Sequence, residues 1–278
     1  MSIVARYYSI GDWIVILIQL ICWITIGAAF YLTYTIIFPH ILHYPWPDNN
    51  SLPSTKRDME TTVVVAGSYN PPHLGHVQML LYLSKRYRNV IAVIGCNPNK
   101  KYQVSPQIRA DMLRQCCASN NATATMNNSS SNTSNISVEV VSGYIWKFLK
   151  QQQQQQVRHG GDNICRLLFV RGIRTWNQDE EEERLLHILN TFGPILAGPF
   201  VWPIPTLFLE GNPKYNHISS SLIRRLIEEY LQSSSWNPTA RSITDLHNLI
   251  TQFVPAAIAS QVIEAYSLVN HEKNVGKE

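Results

Sequence analysis

The chain has 278 residues, of which 45% are hydrophobic and only 15% charged, and its formal net charge is +4. That length holds one domain of ordinary size with additions, and without a dense basic block nothing argues for a nucleic-acid surface. Five cysteines with no C-x-x-C pair speak against a disulfide framework or a cysteine metal site and fit a reducing compartment.

From Trp13 to Phe38 the sequence reads WIVILIQLICWITIGAAFYLTYTIIF, without a charged residue. About 20 apolar residues suffice to cross a hydrocarbon core. Trp13, Tyr31 and Tyr34 lie toward the ends, where amphipathic rings favour the headgroup region. The run is long for the h-region of a cleaved signal peptide, roughly 7–15 residues. Residues 13–38 are therefore read as a single transmembrane helix after a flank at 1–12. Residues 39–60, rich in Pro, Asn and Ser, read as a linker.

The globular domain is expected over 61–269, with a tail at 270–278. Apolar runs at 61–66, 89–96, 136–143, 165–172 and 206–211 read as buried strands. Helical patterns at 76–87, 105–118, 144–151, 179–192, 220–232 and 256–269 alternate with them, and Ser105 and Pro106 form a helix start. Low-complexity insertions at 119–137, Asn- and Ser-rich, and at 150–163, which includes six glutamines at 151–156, are expected to be disordered surface loops. Alternating strands and helices define an α/β fold, a Rossmann-like doubly wound parallel sheet preceded by a transmembrane helix.

In such sheets ligands bind beyond the carboxyl ends of the strands. GSYNPPHLGH, residues 67–76, falls at the end of the first strand. Gly67 allows close backbone approach and Gly75 leaves room for a ligand. His73 and His76 stand where a helix begins, and there backbone N–H groups and the dipole favour phosphate. A second loop-to-helix transition, HISSSLIRR at 217–225, offers the hydroxyls of Ser219, Ser220 and Ser221. Arg171 and Arg174 lie around Gly172 at another strand end, a setting suited to phosphate.

These motifs resemble those of the H-x-G-H nucleotidyltransferases, whose nucleotidyltransferase fold carries H-x-G-H and a C-terminal I-S-S-S/T. NPNKK at 97–101, VRGIR at 170–174 followed by an acidic run, and the segment TLFLEGNPKYNHISSS further resemble bacterial-type phosphopantetheine adenylyltransferase. The resemblance spans about residues 63–266. It implies adenylyl transfer from ATP, with Mg²⁺ accompanying the nucleotide, to 4′-phosphopantetheine in coenzyme A synthesis. It implies catalytic roles for His76, Lys100 and Arg174, and contact with the acceptor phosphate for Ser68. His73 stands where the resembled enzyme often has threonine. Nucleotide-binding roles fall to Arg171, to Ser219–Ser221, and to Glu182 or Glu183, between which the register does not choose. No protein metal ligand is implied.

The spellings PPHLGH and ISSSLIR also resemble nicotinamide- or nicotinate-mononucleotide adenylyltransferases. Phospholipid cytidylyltransferases would suit an anchor, but their R-T-x-G-I-S-T-S/T signature is absent. A non-catalytic, membrane-anchored nucleotide-binding scaffold is the reading of another class, and the intact set of site residues argues against it. The resembled bacterial enzymes form homo-oligomers, which sets the same expectation here. The catalytic domain is expected to face a compartment that contains ATP, the cytosol or an organelle interior.

Overall fold

The computed structural model describes residues 10–37, 39–47, 61–96, 102–125, 135–159, 166–175, 183–185, 187–188, 206–232 and 240–275. Residues 1–40 and 41–278 form two compact units.

The first unit carries helix α1, Ile10–Ile37. Its segment Trp13–Tyr31 has a mean hydropathy of 2.3 and none of it is buried in protein. Thr25 and Thr33 turn their hydroxyls back to the carbonyls of Ile21 and Ala29, each at 2.8 Å. Such back-bonding satisfies these two hydroxyls within the helix, as an apolar medium requires. The helix is thus long and apolar enough to cross a membrane.

The second unit is built on strands β2 (Thr61–Gly67), β3 (Asn89–Cys96), β4 (Ile136–Ser142), β5 (Arg166–Ile173) and β6 (Thr206–Glu210). A short strand β1, His40–Leu42, completes the sheet, whose order is β1-β6-β5-β2-β3-β4. Pairs β2–β3, β2–β5, β3–β4 and β5–β6 are all parallel. All five expected strands are present. The chain leaves β2 toward β3 on one side and returns as β5 on the other. The carboxyl ends of β2 and β5 therefore flank the point where the strand order reverses, the place where such sheets hold ligands.

Period two along β2 divides the core. Val63 and Val65 join Leu80 and Leu83 of α2 (Leu74–Arg86) and Ala110 and Leu113 of α3 (Pro106–Thr125). Val64 faces the other way, with Val93, Phe169 and Leu149 of α4, Ile145–His159. Burial on both faces is why these strands are continuously apolar. Three C-terminal helices, α5 (Ser220–Gln232), α6 (Ala240–Ile250) and α7 (Ala256–Val275), share a further cluster. It brings Ile223, Ile227, Leu246, Ile250, Ile258 and Val262 against Val77 and Met112. Ser105 caps α3 as expected, accepting from the Ile108 N–H at 3.3 Å.

Three expectations are corrected. The Gln151–Gln156 run is not a loop: it continues α4 to His159. Glutamine is a good helix former, and Phe148 and Leu149, packed on the sheet, fix the turn that it extends. The Asn/Ser-rich segment likewise begins inside α3, which runs to Thr125, while 126–134 and 160–165 lie outside the described residues. The start of the expected linker is structured. Beyond β1, Trp46 tilts against the Tyr82 ring at 4.7 Å and donates from Nε1 to the Glu210 carbonyl at 2.8 Å. His43 Nδ1 meets Glu210 Oε2 at 2.9 Å. Residues 48–60 lie outside the described residues. Helix α6 was not anticipated. Of the helix expected at 179–192, residues 183–185 and 187–188 are helical and the rest lies outside the described residues.

Trp46 thus secures the edge of the sheet. Replacing it with alanine is expected to cost roughly 2 kcal/mol, below the range for a fully buried tryptophan because this ring is only partly buried. Urea unfolding of residues 39–278 checks this. An unchanged midpoint would mean that residues 43–47 act only as a tether.

Candidate active site

The loop after β2 turns sharply under its own side chain. Tyr69 has a positive φ of 44°, and its ring is 1% exposed. A Cβ at Gly67 would stand 2.9 Å from that ring. Glycine at 67 therefore admits Tyr69. The Tyr69 ring lies 4.8 Å from His76, and the rings of His73 and His76 stack at 3.7 Å.

His73 is the N-cap of α2, in extended backbone. Its N–H donates to His76 Nδ1 at 3.4 Å. Accepting at Nδ1 requires a neutral His76 ring with its proton on Nε2, so Nε2–H is the donor available to a ligand. The electrostatics agree. Burial, and then the neighbouring His73, hold the His76 pKa well below its ordinary value. Burial, then the charge of Arg174, bring His73 down to about 4. His73 Nδ1 is buried and makes no hydrogen bond. Two neutral imidazoles at a helix N-terminus, one with an unmet polar atom, form a site that an anion would complete.

The serine motif meets this loop directly. Ser220 Oγ donates to the Pro71 carbonyl at 2.8 Å. Arg224 Nη1 donates to the Asn70 carbonyl, and its Nη2 to Ser221 Oγ at 3.1 Å. From α7, the Tyr266 hydroxyl donates to Asn70 Oδ1 at 2.5 Å. Ser219 caps α5, accepting from the Leu222 N–H at 3.1 Å. The three serines thus divide their work. Ser219 starts the helix, Ser220 ties the motifs together, and the more exposed Ser221 rests on Arg224. A Cβ at Gly75 would meet the His73 ring at 3.3 Å and Tyr215 at 3.4 Å, so this glycine lets the second motif close on the first.

The R-G-I-R segment ends β5 beside them. The charge of Arg174 reaches His73, and that of Arg171 reaches Tyr69. Arg171 Nε meets Glu183 Oε2 at 2.6 Å, and Glu183 is 6% exposed. Of the two candidate acidic residues, Glu183 is the one on Arg171; Glu182 lies outside the described residues. A Cβ at Gly172 would stand 2.7 Å from Met79 Sδ, so that glycine admits α2 against the sheet. Ser68 is exposed at the carboxyl end of β2. Lys100, with 97–101, lies outside the described residues. Among the described residues no group of three His, Cys, Asp or Glu could hold a metal ion. The donors that are present, imidazoles, guanidinia and hydroxyls, suit phosphate oxygens better than a bare cation. Sequence reasoning missed Asn70, Arg224 and Tyr266, since nothing local distinguishes residues whose partners lie 154 and 196 positions away.

The cytidylyltransferase-like family model matches residues 64–226, more than half of the chain, and the chain belongs to that family. Its curated relatives include phosphopantetheine adenylyltransferases. That of Clostridium botulinum is 26% identical over 165 residues, 59% of this chain and 80% of the relative. That of Actinobacillus pleuropneumoniae is 25% identical over 182 residues, 66% of this chain and 94% of the relative. Among solved structures, Plasmodium falciparum nicotinic acid mononucleotide adenylyltransferase complexed with NaAD matches at 19% identity. Its TM-score is 0.42, with 76% of this chain and 97% of that one covered. With this family and these relatives, the chain is an enzyme, an adenylyltransferase.

The depressed histidines have a consequence for stability. Below about 6.5 the unfolded chain takes up protons that folded His73 refuses until about pH 4. Stability is therefore full above pH 6.5 and falls as the pH drops toward 4. His73→Asn is expected to flatten this dependence in urea titrations across that window; an identical slope in the variant would contradict it.

Proposed function

We propose that the chain is a phosphopantetheine adenylyltransferase. The observation that carries this is the meeting, at the strand-order reversal, of the His73–His76 pair with the serine helix and with Arg171 and Arg174. The identity of 24–26% to several phosphopantetheine adenylyltransferases, and the NPNKK and VRGIR spellings, favour 4′-phosphopantetheine as acceptor.

An acceptor phosphate oxygen attacks the α-phosphorus of ATP. The new P–O bond forms as the bond to the β-phosphate breaks, and pyrophosphate leaves with the electron pair. Dephospho-coenzyme A is the other product. The acceptor is already an anion, so no side chain needs to remove a proton. What remains is positioning and stabilisation of charge. His76 donates from Nε2 to the transferring phosphoryl group, and a neutral imidazole performs this without proton transfer. Ser68 contacts the acceptor phosphate. Arg171, oriented by Glu183, and Arg174 hold phosphate charge, with Lys100 as a further cation. Ser221 and the N-terminus of α5 receive the polyphosphate tail. Mg²⁺ accompanying ATP would supply further charge neutralisation beside the guanidinia of Arg171 and Arg174.

A second reading, transfer to nicotinamide or nicotinate mononucleotide, is favoured by the PPHLGH and ISSSLIR spellings. Helix α1 serves, in this proposal, as a membrane anchor that holds the catalytic domain toward an ATP-containing compartment.

The test is pyrophosphate release from Mg-ATP by residues 39–278, with 4′-phosphopantetheine, nicotinamide mononucleotide or nicotinate mononucleotide supplied separately. Release with phosphopantetheine alone is expected. Release with a mononucleotide alone would transfer the protein to the second reading, and silence with all three would revive the scaffold. His76→Ala is expected to lower kcat by about 10²–10³, the scale for loss of one transition-state donor, with ATP affinity little changed. Turnover near wild type would remove His76 from the mechanism.

A further inference from the structure

Arg109 on α3 is 0% exposed, the largest fully buried side chain among the described residues. Its Nη1 donates to the Ser68 carbonyl, and its guanidinium lies 4.3 Å from the centre of the Tyr102 ring. Cys96, which also shares a side-chain hydrogen bond with it, Tyr266 and Tyr102 stand around the charge, and among the described residues no carboxylate is paired with it. A buried cation held by neutral groups is costly, and a fold that keeps one calls for a reason.

The reason lies in the peptide that Arg109 holds. The Ser68–Tyr69 bond is trans, so its carbonyl and N–H point in opposite directions. With the carbonyl turned onto Arg109, the Tyr69 N–H faces away from it. Asn70, next but one, is held by Arg224 and Tyr266. The chain from 68 to 70 is thus pinned at both ends, with a positive charge beneath it.

We propose that Arg109 is a positioning residue for adenylyl transfer. Through the Ser68 carbonyl it sets the Ser68 hydroxyl toward the acceptor phosphate. The inference rests on the adenylyltransferase reading but not on which acceptor is used. Neither the H-x-G-H, VRGIR nor ISSS motif includes this residue.

The experiment is a double-mutant cycle on the full chain in detergent micelles, combining Arg109→Lys with Ser68→Ala. Affinity for the active acceptor is read by calorimetry, and kcat with that acceptor by pyrophosphate release. Arg109→Lys keeps a charge but loses the fork. It is expected to weaken acceptor binding about tenfold and to lower kcat further, while costing less than threefold on either once Ser68 is alanine. Equal losses in both backgrounds would make Arg109 merely structural, and wild-type affinity and turnover would overturn the proposal outright. If Arg109→Lys does not fold, Tyr102→Leu decides. It shifts the guanidinium without removing it, and the same dependence on Ser68 is expected at smaller size; its absence overturns the proposal. Acceptor binding without turnover would sink the catalytic reading while the affinity cycle still tests Arg109.

Discussion

The site depends on one constraint, the clamping of the short turn at Asn70–Pro71. Arg224 and Ser220 hold its two carbonyls and Tyr266 holds the Asn70 side chain. These three partners come from α5 and α7, 149 to 196 residues further along the chain. Without the clamp, the histidine loop and the serine helix are two unrelated features. With it they form one surface, beside the arginines that end β5, at the reversal of strand order. Each bond is modest, about 1 kcal/mol net for a neutral pair and more where a guanidinium donates. They act on backbone that is otherwise unsupported by sheet or helix, which is why so few suffice.

The same arrangement explains the protonation states. Burial pushes both histidines toward neutrality, helped at His76 by His73 and at His73 by the positive charge of Arg174 just past β5. In the proposed reaction, neutral imidazoles beside fixed guanidinia leave the phosphates to the permanent charges and offer the reacting centre a hydrogen-bond donor that needs no proton transfer. A direct attack by an anionic acceptor asks for no more.

Much of this was legible in the sequence because it is local. Period-two burial in Val63–Val65, the apolar run of 89–96 and the N-cap at Ser105 each announce themselves within a few residues. The motifs at 67–76, 170–174 and 217–225 did so by residue type and by position at strand ends. What escaped notice depends on partners distant in sequence. Arg109 reads as an ordinary solvent-facing helix charge until α7 and the Ser68 loop close over it. Strand β1 has three residues among prolines and exists by virtue of its β6 neighbour. The glutamine run was judged by composition, yet it is ordered by the turn of α4 that precedes it. Between Glu182 and Glu183 the sequence did not choose, and the ion pair of Glu183 with Arg171 becomes visible only in the fold.

The most direct test of the clamp removes a single hydroxyl. Tyr266→Phe keeps the packing of a ring that is 2% exposed and deletes only the bond to Asn70. If the two motifs form one site through this turn, Mg-ATP binding measured by calorimetry should weaken by about tenfold, the scale of one such bond. Thermal stability should fall only slightly. Unchanged ATP affinity in that variant would mean that the histidine loop and the serine helix bind nucleotide independently of the clamp, and the account of the site would be wrong.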